Sequence, residues 1–148
     1  MSYTYEYPRP AVSVDMVVFL KKDSGREVLL IRRGNDPYKG MHAFPGGFVD
    51  MDETVEAAAR RELMEECNID CTKLKQFKAY SAIDRDPRQR TIGIVFYYVS
   101  VNSHEFDELK AGDDAAEAKF VNVDEIENLA FDHNEVLTDL LEHIGHEK

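Results

Sequence analysis

Four glutamates, one arginine and a pair of glycines carry the chemistry of this chain. Glu53, Arg61, Glu62, Glu65 and Glu66 follow shortly after Gly46 and Gly47. Glu62 stands three and four residues before Glu65 and Glu66, so on a helix all three project from one side. Like charges held this close repel unless a cation lies between them. Mg²⁺ takes an octahedron of oxygen ligands and keeps several waters. The cluster therefore argues for Mg²⁺ (or Mn²⁺), with the oxygens of an anionic ligand completing the shell. Arg61 is placed to pair with a neighbouring carboxylate. Gly46 and Gly47 let backbone approach a ligand closely.

The elements that must position these residues are legible nearby. Residues 54–67 read as a helix, with Ala57, Ala58 and Ala59 as strong helix formers small enough to pack on a sheet. Asp52 or Thr54 caps it. Asn68 tolerates the left-handed conformation that ends a helix. Residues 12–20 and 28–31 read as a strand pair joined by a turn at residues 22–25. Residues 74–80, 91–101 and 119–123 are further strands, of which 91–101 is apolar enough to be central. Residues 84–90 form a charged loop or hairpin tip, and residues 110–116 an acidic loop. Asp124 is a candidate cap for a short helix. Val136, Leu137, Leu140, Leu141 and Ile144 recur at helical spacing. The order suggests an α/β chain with a mixed sheet between helices.

Residues 47–69 resemble the Nudix box, G-x5-E-x7-R-E-U-x-E-E-x-G-U with U aliphatic. Gly47, Glu53, Arg61, Glu62, Leu63, Glu65, Glu66 and Ile69 fall in register, and Asn68 replaces the second Gly. The resemblance implies a single domain over residues 1–148 with the Nudix-type α/β/α sandwich. It implies a divalent metal held by Glu62, Glu65 and Glu66, with Glu53 and a carbonyl of Gly46 or Gly47 as further ligands. It also implies attack of water on one phosphorus of a nucleoside diphosphate linked to a second group. Either Glu65 or an acid of residues 112–117 takes the proton, Glu117 and Asp114 being the candidates.

Further segments are similar to those of small ADP-ribose pyrophosphatases: residues 9–15, 37–40, 84–88, 112–115 and 129–133. They imply hydrolysis of ADP-ribose to AMP and ribose 5-phosphate. Two departures bear on that substrate. Residues 83–85 lack the proline often found there, and Gln89 stands where related loops tend to have Gly. Other Nudix substrates (nucleoside triphosphates, nucleotide sugars, dinucleotides) form the alternative, and a ligand-sensing Nudix module forms a third reading. Sensing regulators of this kind add a DNA-binding domain and commonly lose box carboxylates. All box carboxylates are present here and no basic winged-helix region is expected, so hydrolysis leads.

Contacts to substrate are read from residue type. Arg32, Arg33, Arg85, Arg88 and Arg90 match phosphate geometry, although for any one of them a surface ion pair is favoured in so acidic a chain. Phe44 is either core or a base-stacking ring. Tyr3, Tyr5 and Tyr7 alternate, so Tyr5 either stacks on adenine or lies on an exposed edge. His133 belongs to a cap or interface.

The net charge of −11 and the absence of long basic runs speak against nucleic acid as partner. No apolar run reaches 18 residues, so no membrane span is expected, and the N-terminal residues do not read as a signal peptide. Cys67 and Cys71 fit free thiols in a reducing cytoplasm. The family resemblance implies a homodimer, with the tyrosine-rich N-terminal segment at its interface.

Overall fold

A computed structural model describes residues 2–112 and 114–145. Its strands are β1 (Ala11–Lys22), β2 (Gly25–Arg33), β3 (His42–Ala43), β4 (Gly46–Phe48), β5 (Lys75–Tyr80), β6 (Thr91–Ser100) and β7 (Ala115–Asn122). Helix α1 (Val55–Cys67) follows β4, and α2 (His133–Gly145) ends the described chain. The strands form one mixed sheet in the order β3-β2-β1-β6-β5, with β4 on β1 and β7 on β2. β1 and β6 run parallel from Ala11↔Thr91 to Leu20↔Ser100. β4 lies antiparallel on the opposite edge of β1, with Val14 facing Gly47 and Asp15 facing Gly46.

The alternation of side chains along β1 explains the two layers. Val14, Met16, Val18 and Leu20 point to one face and pack with Ala58, Ala59, Leu63 and Cys67 of α1. Val17 and Phe19 point to the other, against Val136, Leu137, Leu140 and Ile144 of α2. Both faces are covered, which is why residues 12–20 read as an almost unbroken apolar run. The result is the expected α/β/α sandwich with a mixed sheet.

Thr54 caps α1, its Oγ1 accepting from Ala57 N at 3.1 Å. Asn68 closes the helix at φ 57°, its N–H returning to Met64 O while its side-chain amide donates to Glu108 O at 2.9 Å. Three details differ from the sequence reading. β7 begins at Ala115, because pairing with β2 overrides the weak strand propensity of Ala and Glu. β3 and β4 are added, too short and glycine-rich to show a pattern. The short turn at Val123–Glu125 is capped by Asn122 Oδ1 rather than by Asp124.

Candidate active site

α1 presents its acidic side beside β4, and between them opens a cavity of about 490 Å³. That volume suits a nucleotide-sized ligand. Gly46, Gly47, Glu62 and Glu66 line it, and Asp114 joins from the start of the β7 segment. Arg33, Asp86, Arg88 and Phe131 line it too, as do Asp15, Phe44, Arg85 and His133.

Arg61 organises the exposed part of the box. Its guanidinium donates to Glu53 at 2.6 and 3.0 Å, to Glu62 at 2.8 Å, to Glu65 at 3.1 Å and to Phe48 O at 3.1 Å. Glu53 also accepts from Asp50 N–H at 2.9 Å. Its bonds to Arg61, helped by Asp50, hold the Glu53 carboxyl down at about 2. Burial raises the Glu62 carboxyl despite Arg61, with Glu65 and Glu53 adding to the rise.

Glu66 differs from the others. It accepts one hydrogen bond from Gly46 N–H at 3.2 Å and, among the described residues, makes no ion pair. Burial pushes its carboxyl up to about 8, with the charges of Glu62, Asp15 and Asp114 contributing. A half-buried carboxylate whose rise three other acids reinforce is a place that a cation would relieve. Gly47 makes room for Glu62: a Cβ there would collide with the Glu62 carboxylate.

Among the described residues no acidic, imidazole or thiol groups already stand as a metal-binding trio. Arg61 draws Glu53, Glu62 and Glu65 onto itself instead. The donors are all hard oxygens, and with the uncompensated Glu66 they fit Mg²⁺ or Mn²⁺ in kind.

Further lining residues are cationic and aromatic. Arg88 is held by both oxygens of Asp86, at 2.8 and 3.0 Å, and its guanidinium lies 5.0 Å from the Phe48 ring and 5.7 Å from that of Phe131. Arg33 approaches Phe131 at 5.0 Å and donates its Nε to Pro37 O at 2.7 Å. Burial and then the charge of Arg88 lower its affinity for its proton. Phe131 itself sits at φ 54°, a conformation unusual for a bulky residue and found most often at functional positions.

Glu117, Tyr5 and Glu65 lie outside the cavity lining. Glu117 sits on β7 opposite Arg32 and binds Arg32 at 3.0 Å and Lys119 at 2.9 Å, away from the lining residues. Tyr5 packs under Arg9, 4.0 Å from the ring centroid, with its hydroxyl 3.9 Å from Met51 Sδ. Glu65 is exposed beside Arg61. Asp113 falls outside the described residues. Arg85 is buried rather than at the surface, donating Nε and Nη2 to the two oxygens of Asp132 at 2.9 and 3.0 Å. Gly93 makes room for it, since a Cβ there would meet the guanidinium at 2.8 Å.

Asp15, Asp86 and Phe131 were not singled out by residue type. Asp15 carried one signal, as the lone charge in an otherwise apolar strand. Burial would raise its carboxyl, but His133 and Arg85 outweigh that and hold it below the usual range.

Comparison with known proteins extends beyond the box. The NUDIX domain family model matches residues 9–140. The chain is 44% identical over 135 residues to an ADP-ribose pyrophosphatase of Methanocaldococcus jannaschii, covering 91% of this chain and 75% of that protein. The fold superposes on the Nudix domain of Shewanella oneidensis NrtR complexed with ADP ribose at a TM-score of 0.85, with 24% identity, covering 93% and 90% of the two chains. It also matches a bifunctional NMN adenylyltransferase/ADP ribose pyrophosphatase of Francisella tularensis, solved with AMP and a manganese ion, at a TM-score of 0.80 and 30% identity, covering 94% of this chain and 43% of that one. The likeness thus spans the cavity-lining residues from Ser13 to His133 and not the acidic helix alone, and the chain belongs to the Nudix hydrolase family.

Proposed function

We propose that this Nudix hydrolase cleaves the diphosphate of ADP-ribose, giving AMP and ribose 5-phosphate in the presence of Mg²⁺ or Mn²⁺. The observation that carries the reading is one cavity lined by the carboxylates of Glu62 and Glu66 and by the guanidinium groups of Arg33 and Arg88. A diphosphate bound there meets metal-binding oxygens and guanidinium donors together. The similarity to the M. jannaschii pyrophosphatase favours ADP-ribose among diphosphates.

Glu62 and Glu66 would hold the metal, with Glu65, Glu53 and the Gly47 carbonyl as further donors. When bound, the ion supplies charge for the phosphate oxygens and lowers the pKa of an attacking water. Arg61 keeps Glu53, Glu62 and Glu65 together on one side of α1. Arg33 and Arg88 grip phosphate oxygens, and Arg85 braces the cavity lining. Phe131 offers apolar surface to the nucleoside or ribose, whereas Phe44, 2% exposed, is packed in the core. Asp114, on the cavity, or Glu65 takes the proton from water. Glu117 could do so only by leaving Arg32 and Lys119. Tyr5 would need to move from Met51 to reach a base. Cys67 and Cys71, both buried free thiols, suit a reducing cytoplasm.

The test is a panel of ADP-ribose, nucleoside triphosphates, nucleotide sugars and dinucleotides with Mg²⁺, with products read by chromatography. ADP-ribose should be the preferred substrate, yielding AMP and ribose 5-phosphate. Preference for another panel member would replace the substrate while leaving the hydrolase intact. Asp114→Asn should slow turnover and Glu117→Gln should not; the reverse pattern would move the base to β7.

A further inference from the structure

Under the cavity lies a buried polar group that the roles above leave largely unused. Asp15, Arg85 and His133 are 9%, 7% and 2% exposed. They come from β1, from the loop before β6, and from the first turn of α2. Buried charges persist when paired, and here they are. Arg85 binds Asp132 through two hydrogen bonds and reaches Asp15 Oδ2 at 3.5 Å. His133 Nε2 lies 3.5 Å from Asp15 Oδ1.

The second imidazole nitrogen faces the main chain. Phe44 N–H donates to His133 Nδ1 at 3.1 Å, which assigns the ring proton to Nε2 on the Asp15 side. The Phe44 ring also stacks on the imidazole at 4.9 Å. Phe44 opens the segment that leads through Pro45 to the Gly pair. Pro45 O accepts from Met16 N–H at 2.9 Å, and Gly46 N–H donates to Glu66 at 3.2 Å. A side chain at Gly46 would strike Val14 O, and would come within 2.5 Å of Asp15 Oδ1. His133 and Asp15 therefore grip one side of this segment, and the segment's other side touches Glu66.

We propose that His133 is a positioning residue for hydrolysis: through Phe44 and Asp15 it fixes the Gly46 peptide, which orients the Glu66 carboxylate. An imidazole held between a carboxylate and a main-chain amide is rigid, and outer groups that orient metal-binding side chains are worth about 10–100-fold in affinity or activity. Glu66 matters to turnover only under the hydrolase reading above, so wild-type activity and Mn²⁺ affinity are measured first.

The same two measurements are then made on His133→Phe, His133→Asn and His133→Gln, with Mn²⁺ binding followed by electron paramagnetic resonance. Phe keeps a ring against Phe44 but offers no acceptor. Asn places an amide oxygen near the position of Nδ1, whereas Gln reaches toward Asp15 and leaves the Phe44 N–H without a partner. Phe and Gln should each lower kcat and weaken Mn²⁺ binding about 10–100-fold, with KM little changed. Asn should recover most of both losses. A merely structural role would lower the melting temperature without this split. Wild-type kcat and Mn²⁺ affinity in Phe and Gln, or an Asn variant as impaired as Gln, would overturn the positioning role. Should the Phe variant not fold, the Asn and Gln pair decides the matter. A wild type that neither binds Mn²⁺ nor cleaves any diphosphate defeats the hydrolase reading itself, and the positioning role falls with it.

Discussion

Arg33 and Arg88 approach the same Phe131 ring, yet they are not equivalent. Arg88 is neutralised by a bidentate bond to Asp86, whereas Arg33 donates its Nε to a carbonyl and, among the described residues, bonds to no carboxylate. A guanidinium held beside another one on a cavity wall is poised for an anion. Arg33→Ala should therefore raise the KM for ADP-ribose by about tenfold or more, the scale of one charge-assisted hydrogen bond. Arg32→Ala, which loses its pair with Glu117 outside the cavity lining, serves as the contrast and should leave KM near wild type. Steady-state kinetics of the two variants check this, and equal effects would remove the phosphate role of Arg33. At this scale the sequence told residue types but not their partners. Five arginines looked alike until the fold buried Arg85, tied Arg88 to Asp86 and left Arg33 facing the cavity.

Helix α1 turns residue spacing into a site. Its cap and its αL end hold the register that sets Glu62 and Glu66 toward β4. Thr54→Ala removes the hydrogen bond to Ala57 N–H and should cost about 1 kcal/mol in chemical denaturation. A loss below a few tenths would mean the start of α1 is held by packing instead. The β1–β2 hairpin, β6 and α2 were legible from their apolar residues, and α1 from its alanines and the spacing of its acids. β3 and β4 were not legible: Gly46 and Gly47 have poor strand propensity, and only the edge of β1 makes them a strand. For the same reason β7 reached back to Ala115 and carried Glu117 into an ion pair with Arg32. The box carboxylates could be found from spacing, but Asp15 and His133 meet only after β1, β4 and α2 are assembled.

On the scale of the whole molecule, buried acids set the response to pH. Asp15 and Asp86 resist the upward push of burial because His133 and Arg85, and Arg88, hold them below the usual range. A depressed carboxyl contributes stability that is present above its unfolded pKa, about 3.9, and is lost as pH falls toward its folded value. The melting temperature should therefore drop as pH falls below about 4, and Asp15→Asn should make the drop shallower; an unchanged slope would deny Asp15 this part. The exposed Tyr3 and Tyr7 and the stacked Tyr3–Tyr5 pair leave the N-terminal segment apolar on the outside. We propose that two copies of the chain join through it, so the full chain should sediment as a dimer and removal of residues 1–8 should give a monomer; a monomeric full chain or an unshifted dimer would contradict this. The most direct measurement compares wild type with Glu66→Gln on ADP-ribose and Mg²⁺, reading AMP by chromatography. The wild type should form AMP and ribose 5-phosphate, and the variant should be slower by more than about 100-fold, beyond what outer groups contribute, while keeping its fold. Comparable AMP formation by the two proteins would contradict the placement of the reaction at the box carboxylates.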